Sequence, residues 1–215
     1  MSKATDQAYD IIRRAILDGT FAPGDRLKEE HLVDLCGVSR TPIREAIQRL
    51  AAKNYLVSKP NFGSHVANWS DKEIADIFTL RAIVEGMAAK RATENITDEQ
   101  IAALQKEHDC IADVLAEPGE LDIQTFLEAN TRFHDVILSA TKSEPLALTA
   151  NRLVSPPIVA HTAHNYSRED LSRSNAHHKE LISAMKVKDA DWAEATMQSH
   201  IRAAHHRFLE ASNGV

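Results

Sequence analysis

The chain has 215 residues, of which 43% are hydrophobic and 26% charged, as in folded globular proteins and unlike wholly disordered ones. Aromatic residues make up only 5%, which favours helices over a β-sandwich. The net charge of −6 argues against nucleic-acid binding by the chain as a whole. No apolar stretch approaches the roughly 20 residues that span a bilayer, and the N-terminus has no apolar signal core. We therefore expect a cytoplasmic protein without membrane contact.

The charge is distributed unevenly along the chain. Residues 1–70 contain ten Lys and Arg against eight Asp and Glu, a net charge of +2. The remaining residues contain 15 against 23, a net charge of −8. A DNA-binding surface is therefore expected only in the first third of the chain.

Three helices and a hairpin are predicted in this basic region. Apolar residues at helical spacing predict a helix over 6–17, and a second helix fits 29–36. Ser39 can cap a third helix, over 39–53. Two β-prone runs in 55–67 surround a Pro-Asn-Phe-Gly turn and predict a hairpin. This combination is typical of a winged helix-turn-helix domain.

The third predicted helix carries the candidate DNA-binding side chains. Arg40, Thr41 and Arg44 cluster at its start, the end that enters the major groove, and Arg pairs bidentately with O6 and N7 of guanine. The hairpin tip at 61–63 suits a wing, because a glycine lets the backbone approach a phosphate closely. The alternative is a surface helix with ordinary solvated arginines, which charge alone does not distinguish from base contacts.

Residues 8–68 contain the runs GDRLKEEHLVDLCGVSRTPIREAIQRLAAKNYL and PNFGSHVA, of which SRTPIREA is the most specific part. Through these runs, nearly all of residues 8–68 resembles the DNA-binding half of GntR-type transcription regulators. The resemblance implies DNA contacts from SRTPIREA and from the wing glycine. The candidate DNA-binding residues are therefore Ser39, Arg40, Thr41, Arg44 and Gly63. Some relatives have a DNA-contacting Arg where this chain has Glu30, so their operator cannot be transferred to it.

Only helices are predicted after Ala67. They are expected at about 70–93, 97–116, 121–141, 145–164, 169–188 and 190–211. Capping boxes begin two of them, at Ser70 and at Thr97. Pro156 and Pro157 should break or kink the fourth. The short connections predict an antiparallel bundle, and hence a mainly α fold with a winged helix-turn-helix domain at 1–70 and an all-helical domain at 71–215.

Three of the eleven histidines lie on apolar stripes of different predicted helices. His134 shares its face with Asn130 one turn earlier, and His178 and His200 lie among Leu, Ile, Met and Ala. For a single histidine, a hydrogen-bonded core residue is the ordinary interpretation. Three neutral imidazoles that converge in a bundle core, however, would suit a zinc-like divalent ion. The other eight histidines are expected to be peripheral.

Arg81 also lies on an inward stripe, with Phe78 and Ala88. It either forms an ion pair with Glu85 one turn on, or binds a carboxylate effector in the bundle through two parallel hydrogen bonds. The sequence leaves both interpretations open.

Residues 72–212 resemble the FCD domain of the FadR-like branch of the GntR family. The matching runs are FTLRAIVEGMAA, NTRFHDVIL, HHKELISAM and ATMQSHI. The resemblance implies a small-molecule effector domain whose metal ligands are an Asp four residues before a His, and two further His. These positions are Asn130, His134, His178 and His200, so an amide replaces the expected carboxylate. A site without that carboxylate keeps more positive charge, which favours an anionic ligand, and zinc or nickel is the expected ion.

The resulting hypothesis is a transcription regulator, not an enzyme. A small carboxylate effector, bound with or without the help of a metal, would modulate binding to a double-stranded DNA operator. A homodimer is expected, because one winged domain reads few base pairs and a two-fold protein matches a palindrome. The alternative is a metal-dependent hydrolase that uses the histidine cluster, since open three-histidine sites also activate water. A scaffold with a structural metal is a third interpretation.

Overall fold

The computed structural model describes residues 2–59 and 63–212. These ranges contain ten helices and three short strands: α1 (Lys3–Leu17), β1 (Arg26–Leu27), α2 (Glu29–Cys36), α3 (Arg40–Ala52), β2 (Leu56–Lys59), β3 (Gly63–Val66), α4 (Asp71–Asn95), α5 (Asp98–Ala116), α6 (Ile123–Ala140), α7 (Glu144–Leu153), α8 (Pro156–His164), α9 (Arg168–Lys186) and α10 (Ala190–Ser212). The chain forms two compact units, Met1–Asp71 with Val154–His161, and Lys72–Leu153 with Thr162–Val215. The mainly α fold is as predicted.

In the first unit, residues 2–59 and 63–71 form three helices and a sheet of strand order β1-β3-β2, and the unit also includes most of α8. The predicted hairpin is present as β2 and β3, whose antiparallel register pairs Leu56 with Val66. A third strand, β1, pairs Arg26 with His65 on the other side of β3. The sequence analysis missed β1, because two residues are too few to show an alternating pattern. This strand fixes the loop before α2 against the sheet.

Helices α1, α2 and α3 enclose a core of fully buried aliphatic side chains. Ile12 of α1, Leu32 of α2 and Leu50 of α3 are all 0% exposed, as their helical spacing predicts. Gly37 ends α2 with a φ of 65°, a left-handed conformation that glycine adopts without strain. Ser39 precedes α3 at the N-cap position but makes no capping hydrogen bond, so the predicted cap is wrong in its side-chain contact.

The second unit consists of packed helices, and most of their ends agree with the sequence signals. The capping box of Thr97 and Gln100 at the start of α5 is confirmed. The predicted break at the two prolines is also confirmed, because 145–164 is divided into α7 and α8. Proline has no backbone N–H to donate, so it ends one helix and can begin the next. No helix in 2–59 or 63–212 is long and apolar enough to cross a membrane.

Helices α4 and α10 lie side by side in opposite directions. Near one end, Lys90 donates to Asp191 and Glu194 at 2.5 and 3.1 Å. Midway, a Cβ added to Gly86 would lie 2.8 Å from Cγ of Gln198, closer than side chains tolerate. The two helices therefore approach each other at a glycine. Helix α9 packs against α10 and α5, and α5 against α6, so the three histidine-bearing helices belong to one bundle.

Candidate functional site

The first unit has a groove of about 630 Å³ beside the start of α3. It is lined by Arg26, Leu27, Lys28, Glu29, Glu30, Arg40, Arg44, Ile47, Gln48, Ser58, Gly63 and Ser64. Three of the predicted DNA-binding residues, Arg40, Arg44 and Gly63, are among them. Ser39 and Thr41 are exposed but do not line the groove. Arg26 and Lys28 add positive charge that the sequence analysis did not assign, because they belong to the unpredicted strand β1 and its end.

Two of the arginines of the groove, Arg40 and Arg44, form ion pairs with α2. The Nε of Arg44 donates to the two carboxylate oxygens of Glu29, at 2.9 and 3.0 Å. Arg40 Nη2 lies 3.5 Å from Oε1 of Glu30. The hydrogen bond from Arg44 lowers the pKa of Glu29, so this carboxylate is ionised at neutral pH. Because both arginine side chains remain 63% exposed, the pairs orient them without burying them.

The structure describes the two strands of the wing, but not residues 60–62 between them. Gly63 begins β3 with a φ of 82°, and an added Cβ would lie 3.6 Å from Nε of Arg26. The positive φ is unfavourable for residues other than glycine, which explains the residue type at this position. Asn61 and Phe62 of the predicted wing tip lie outside the described residues.

In the second unit, His134 of α6, His178 of α9 and His200 of α10 meet. One ring nitrogen of each lies within 4.8 Å of those of the other two. The ring centroid of His200 is 5.0 Å from that of His178 and 5.3 Å from that of His134. His178 is fully buried, and its ring stacks on Phe133 at 3.9 Å. The structure thus brings together the three histidines that the sequence analysis selected.

The histidine cluster contains buried polar atoms without partners. Among the residues that the structure describes, both ring nitrogens of His178 and Nδ1 of His200 accept and donate no hydrogen bond. Burial, with a smaller effect of the neighbouring histidines, holds the pKa of His178 and His200 well below the usual 6.5. The rings are therefore neutral, the form that binds metal. An unpaired buried imidazole is costly, and a divalent ion would use the free lone pairs, so these residues fit a metal site.

A buried ion pair of α4 adjoins the cluster. Arg81 Nε donates to Oε1 of Glu85 at 2.7 Å, and Oε2 of Glu85 lies 3.2 Å from Nδ1 of His134. Burial by itself would raise the pKa of the Glu85 carboxyl, but the charge of Arg81 and the hydrogen bond to His134 lower it to about 2. Of the two interpretations of Arg81, the ion pair is present. The sequence analysis did not include Glu85 in the site, although its spacing from Arg81 was the available signal.

Asn130, the fourth predicted ligand, lies one turn before His134 on α6. Its side chain is half-buried, on the helix that carries His134.

His177 is a correction to the expected periphery. It is half-buried, and its ring centroid lies 5.8 Å from that of His200. Its ring therefore lies at the edge of the same cluster.

A winged helix-turn-helix with exposed arginines, in one chain with an all-helical unit, defines the class of two-domain transcription regulators. Two family models agree with this class. The model described as "Bacterial regulatory proteins, gntR family" matches residues 4–66, and the model described as "FCD domain" matches residues 76–203. The chain belongs to the gntR family of bacterial regulatory proteins and carries an FCD domain, and is therefore a DNA-binding transcriptional regulator.

Curated proteins that match this chain over most of their length are also named as transcriptional regulators. The "Nta operon transcriptional regulator" of Aminobacter aminovorans is 28% identical over 197 residues, 90% of this chain and 89% of the relative. The "HTH-type transcriptional repressor RspR" of Escherichia coli K12 is 29% identical over 211 residues, 91% of this chain and 85% of the relative. Among solved structures, E. coli McbR/YncC has a TM-score of 0.80 at 22% identity, covering 99% of this chain and 100% of that one. This last likeness concerns the fold.

Proposed function

We propose that the chain is a homodimeric regulator whose affinity for an operator is modulated by a small carboxylate, bound with a divalent metal in the helical unit. Residues 1–70 would bind DNA, and residues 71–215 would bind the effector and dimerise. The observation that carries the proposal is the cluster of His134, His178 and His200, with buried nitrogens that lack partners. A regulator needs a site of this kind to connect a ligand to a change in DNA affinity.

For DNA binding, support comes from the groove at the start of α3. Arg44 uses its Nε for Glu29, so its two terminal nitrogens remain for the O6 and N7 of a guanine. Arg40, Lys28 and Arg26 supply positive charge for phosphates along the same groove. Thr41 and Ser39 lie exposed beside it, at the end of α3 that would enter the major groove.

For the homodimer, support comes from an apolar stripe on α4. Leu80, Ile83 and Met87 are 48%, 50% and 51% exposed, and their spacing places them on one face of the helix. An exposed apolar stripe of this kind is unfavourable in water and is typical of a subunit contact. A second copy that packs its own stripe against this one would bury all six side chains in a two-fold interface.

For the metal, three imidazoles would serve as ligands, and Asn130 would supply an amide oxygen or hydrogen-bond a bound water. The ion would supply a strong positive charge and open coordination positions for an anion. None of these four side chains carries a negative charge, and the charge of Glu85 is offset by Arg81. The excess positive charge therefore favours a carboxylate effector. Arg81, which binds Glu85 through Nε, would contact its far end through the terminal nitrogens.

The experiment begins with selection of an operator from random duplex DNA by the purified protein. Operator affinity is then measured by fluorescence anisotropy after chelator treatment, after addition of zinc or nickel, and with metal plus succinate, malonate or citrate as carboxylate probes. We expect the affinity to change only when metal and a carboxylate are both present. The variant His178→Gln should abolish the response, and His206→Gln, at an exposed position, should retain it. An identical affinity under all conditions would refute effector control by this site.

A further inference from the structure

We propose that Glu85, held by Arg81, is the positioning residue of the histidine site: it fixes His134 with a proton on Nδ1 and the Nε2 lone pair available to the ion. This inference rests on the proposed metal site. It assigns to α4 a role in the site that neither the histidine pattern nor the four-residue spacing before His134 indicates.

The first step of the argument is that each carboxylate oxygen of Glu85 already has a partner. Oε1 accepts the Nε–H of Arg81 at 2.7 Å, and Oε2 lies 3.2 Å from Nδ1 of His134. Among the described residues, the ligand atoms that lie within 4.8 Å of one another belong to the three histidines, so Glu85 is not itself placed as a metal ligand. Glu85 therefore acts on the metal site through the imidazole ring of His134.

The second step concerns the tautomer of His134. A neutral imidazole has one N–H and one lone pair. An ionised carboxylate only accepts hydrogen bonds, so the nitrogen beside Glu85 must be the one that carries the proton. The lone pair is then on Nε2, at the other side of the ring. A ligating histidine that donates its second N–H to a carboxylate is the usual arrangement around protein-bound metals, and it makes the ring more basic.

The third step is that Glu85 is built into the core. Its side chain is 5% exposed and that of Arg81 9% exposed, and such burial is unfavourable for unpaired charges. The guanidinium of Arg81 also lies over the ring of Phe78, with Cζ 5.4 Å from the centroid. Arg81 thus holds the carboxylate in one place, and the carboxylate holds His134.

The test measures zinc affinity of the full-length protein by competition with a chromophoric chelator. Glu85→Gln keeps the side-chain volume but removes the charge, and we expect zinc binding about 10–100-fold weaker, the usual effect of losing such a partner. Glu107→Gln is the matched control, because Glu107 is also a buried carboxylate of this unit, paired with Arg132 at 2.8 Å, and does not contact the three histidines. Its zinc affinity should stay within about threefold of the unchanged protein.

Glu85→Gln leaves Arg81 buried without its partner, so the double variant Arg81→Met, Glu85→Gln is measured as well. It removes both charges, and we expect it to fold as stably as the single variant or better while zinc binding stays weak.

A long-range ¹H–¹⁵N spectrum of the zinc-bound protein should show His134 protonated at Nδ1 and bound through Nε2. If both Glu85 variants bind zinc with normal affinity, or if His134 binds the ion through Nδ1, the proposed role of Glu85 is wrong. The proposed metal site would not be affected by this result. If the unchanged protein binds no zinc, nickel or cobalt, the metal site and the role of Glu85 both fall.

Discussion

The carboxylate of Glu29 on α2 accepts the Nε–H of Arg44 on α3 with both of its oxygens, at 2.9 and 3.0 Å. Because the bond uses Nε, the terminal nitrogens of the guanidinium are left for another partner. The pair also places a negative charge in a groove that would face DNA. Glu29 therefore orients the arginine, and we expect it also to repel phosphates that approach without a matching base.

Loss of Arg44 should weaken operator binding. We expect Arg44→Ala to cost about 1–3 kcal/mol, the usual contribution of a bidentate contact between an arginine and a guanine. Fluorescence anisotropy at fixed salt, with the selected operator, measures the change. Arg14→Ala removes the same charge from an exposed position on α1 that does not line the groove, and its effect should be much smaller. Equal losses in the two variants would contradict a base contact by Arg44.

Glu29→Gln should reduce discrimination between the operator and random DNA. In this variant a neutral amide replaces the carboxylate, so Arg44 is held less tightly and phosphate is no longer repelled. The affinity for random duplex DNA should therefore rise, while the affinity for the operator rises less or falls. The measurement is the ratio of the two dissociation constants at the same salt concentration. An unchanged ratio would show that Glu29 only adds charge to the groove and does not orient the arginine.

Asn130→Asp should tighten zinc or nickel binding. The substitution places a carboxylate one turn before His134, and an anionic oxygen binds a divalent ion more strongly than an amide oxygen does. Isothermal titration calorimetry of the chelator-treated protein measures the change. Asn95→Asp, which adds the same charge at the end of α4, is the control and should not alter metal affinity. If neither variant nor the unchanged protein binds metal, the three histidines are a polar core cluster.

The metal-free protein should lose stability below pH 6.5. His178 and His200 are held neutral by burial when folded, whereas in the unfolded chain their pKa is near 6.5. As the pH falls below that value, the unfolded chain binds protons that the folded protein does not, and the free energy of unfolding decreases. Two such groups give a slope of up to about 2.7 kcal/mol per pH unit.

Urea unfolding of the chelator-treated protein between pH 7.5 and 5.5 gives this slope. His178→Gln removes one of the two groups and should roughly halve it, whatever its effect on stability at pH 7.5. The same slope in the variant and in the unchanged protein would mean that other groups cause the acid sensitivity.

Ile83→Glu should convert a dimer into a monomer. A carboxylate in the middle of the α4 stripe would be buried without a partner in the proposed interface, which is strongly unfavourable. Sedimentation velocity at micromolar concentration measures the molar mass. Val187→Glu adds the same charge at a position that is 67% exposed and outside the stripe, and this variant should remain dimeric. A monomeric unchanged protein, with and without DNA, would refute the homodimer.

Much of the fold was predictable from the sequence because its helices have a regular apolar period and clear end signals. The same periodicity placed three histidines on inward faces, and packing brought them together. Strand β1 was missed because its two residues form a strand only through pairing with β3. The contacts of Glu85 with His134 and of Glu29 with Arg44 join residues 49 and 15 positions apart. Such partners depend on how helices pack, which spacing within one helix does not encode.

Gly86 lies next to Glu85 on α4, and Gln198, which almost touches it, lies two residues before His200 on α10. The absence of a side chain at Gly86 thus leaves room for Gln198 between α4 and α10, beside both Glu85 and His200. A methyl group there would meet Gln198, and either this side chain or the helices would have to shift. A change of bulk at Gly86 would therefore disturb the packing next to the site while every charged group of the site is kept.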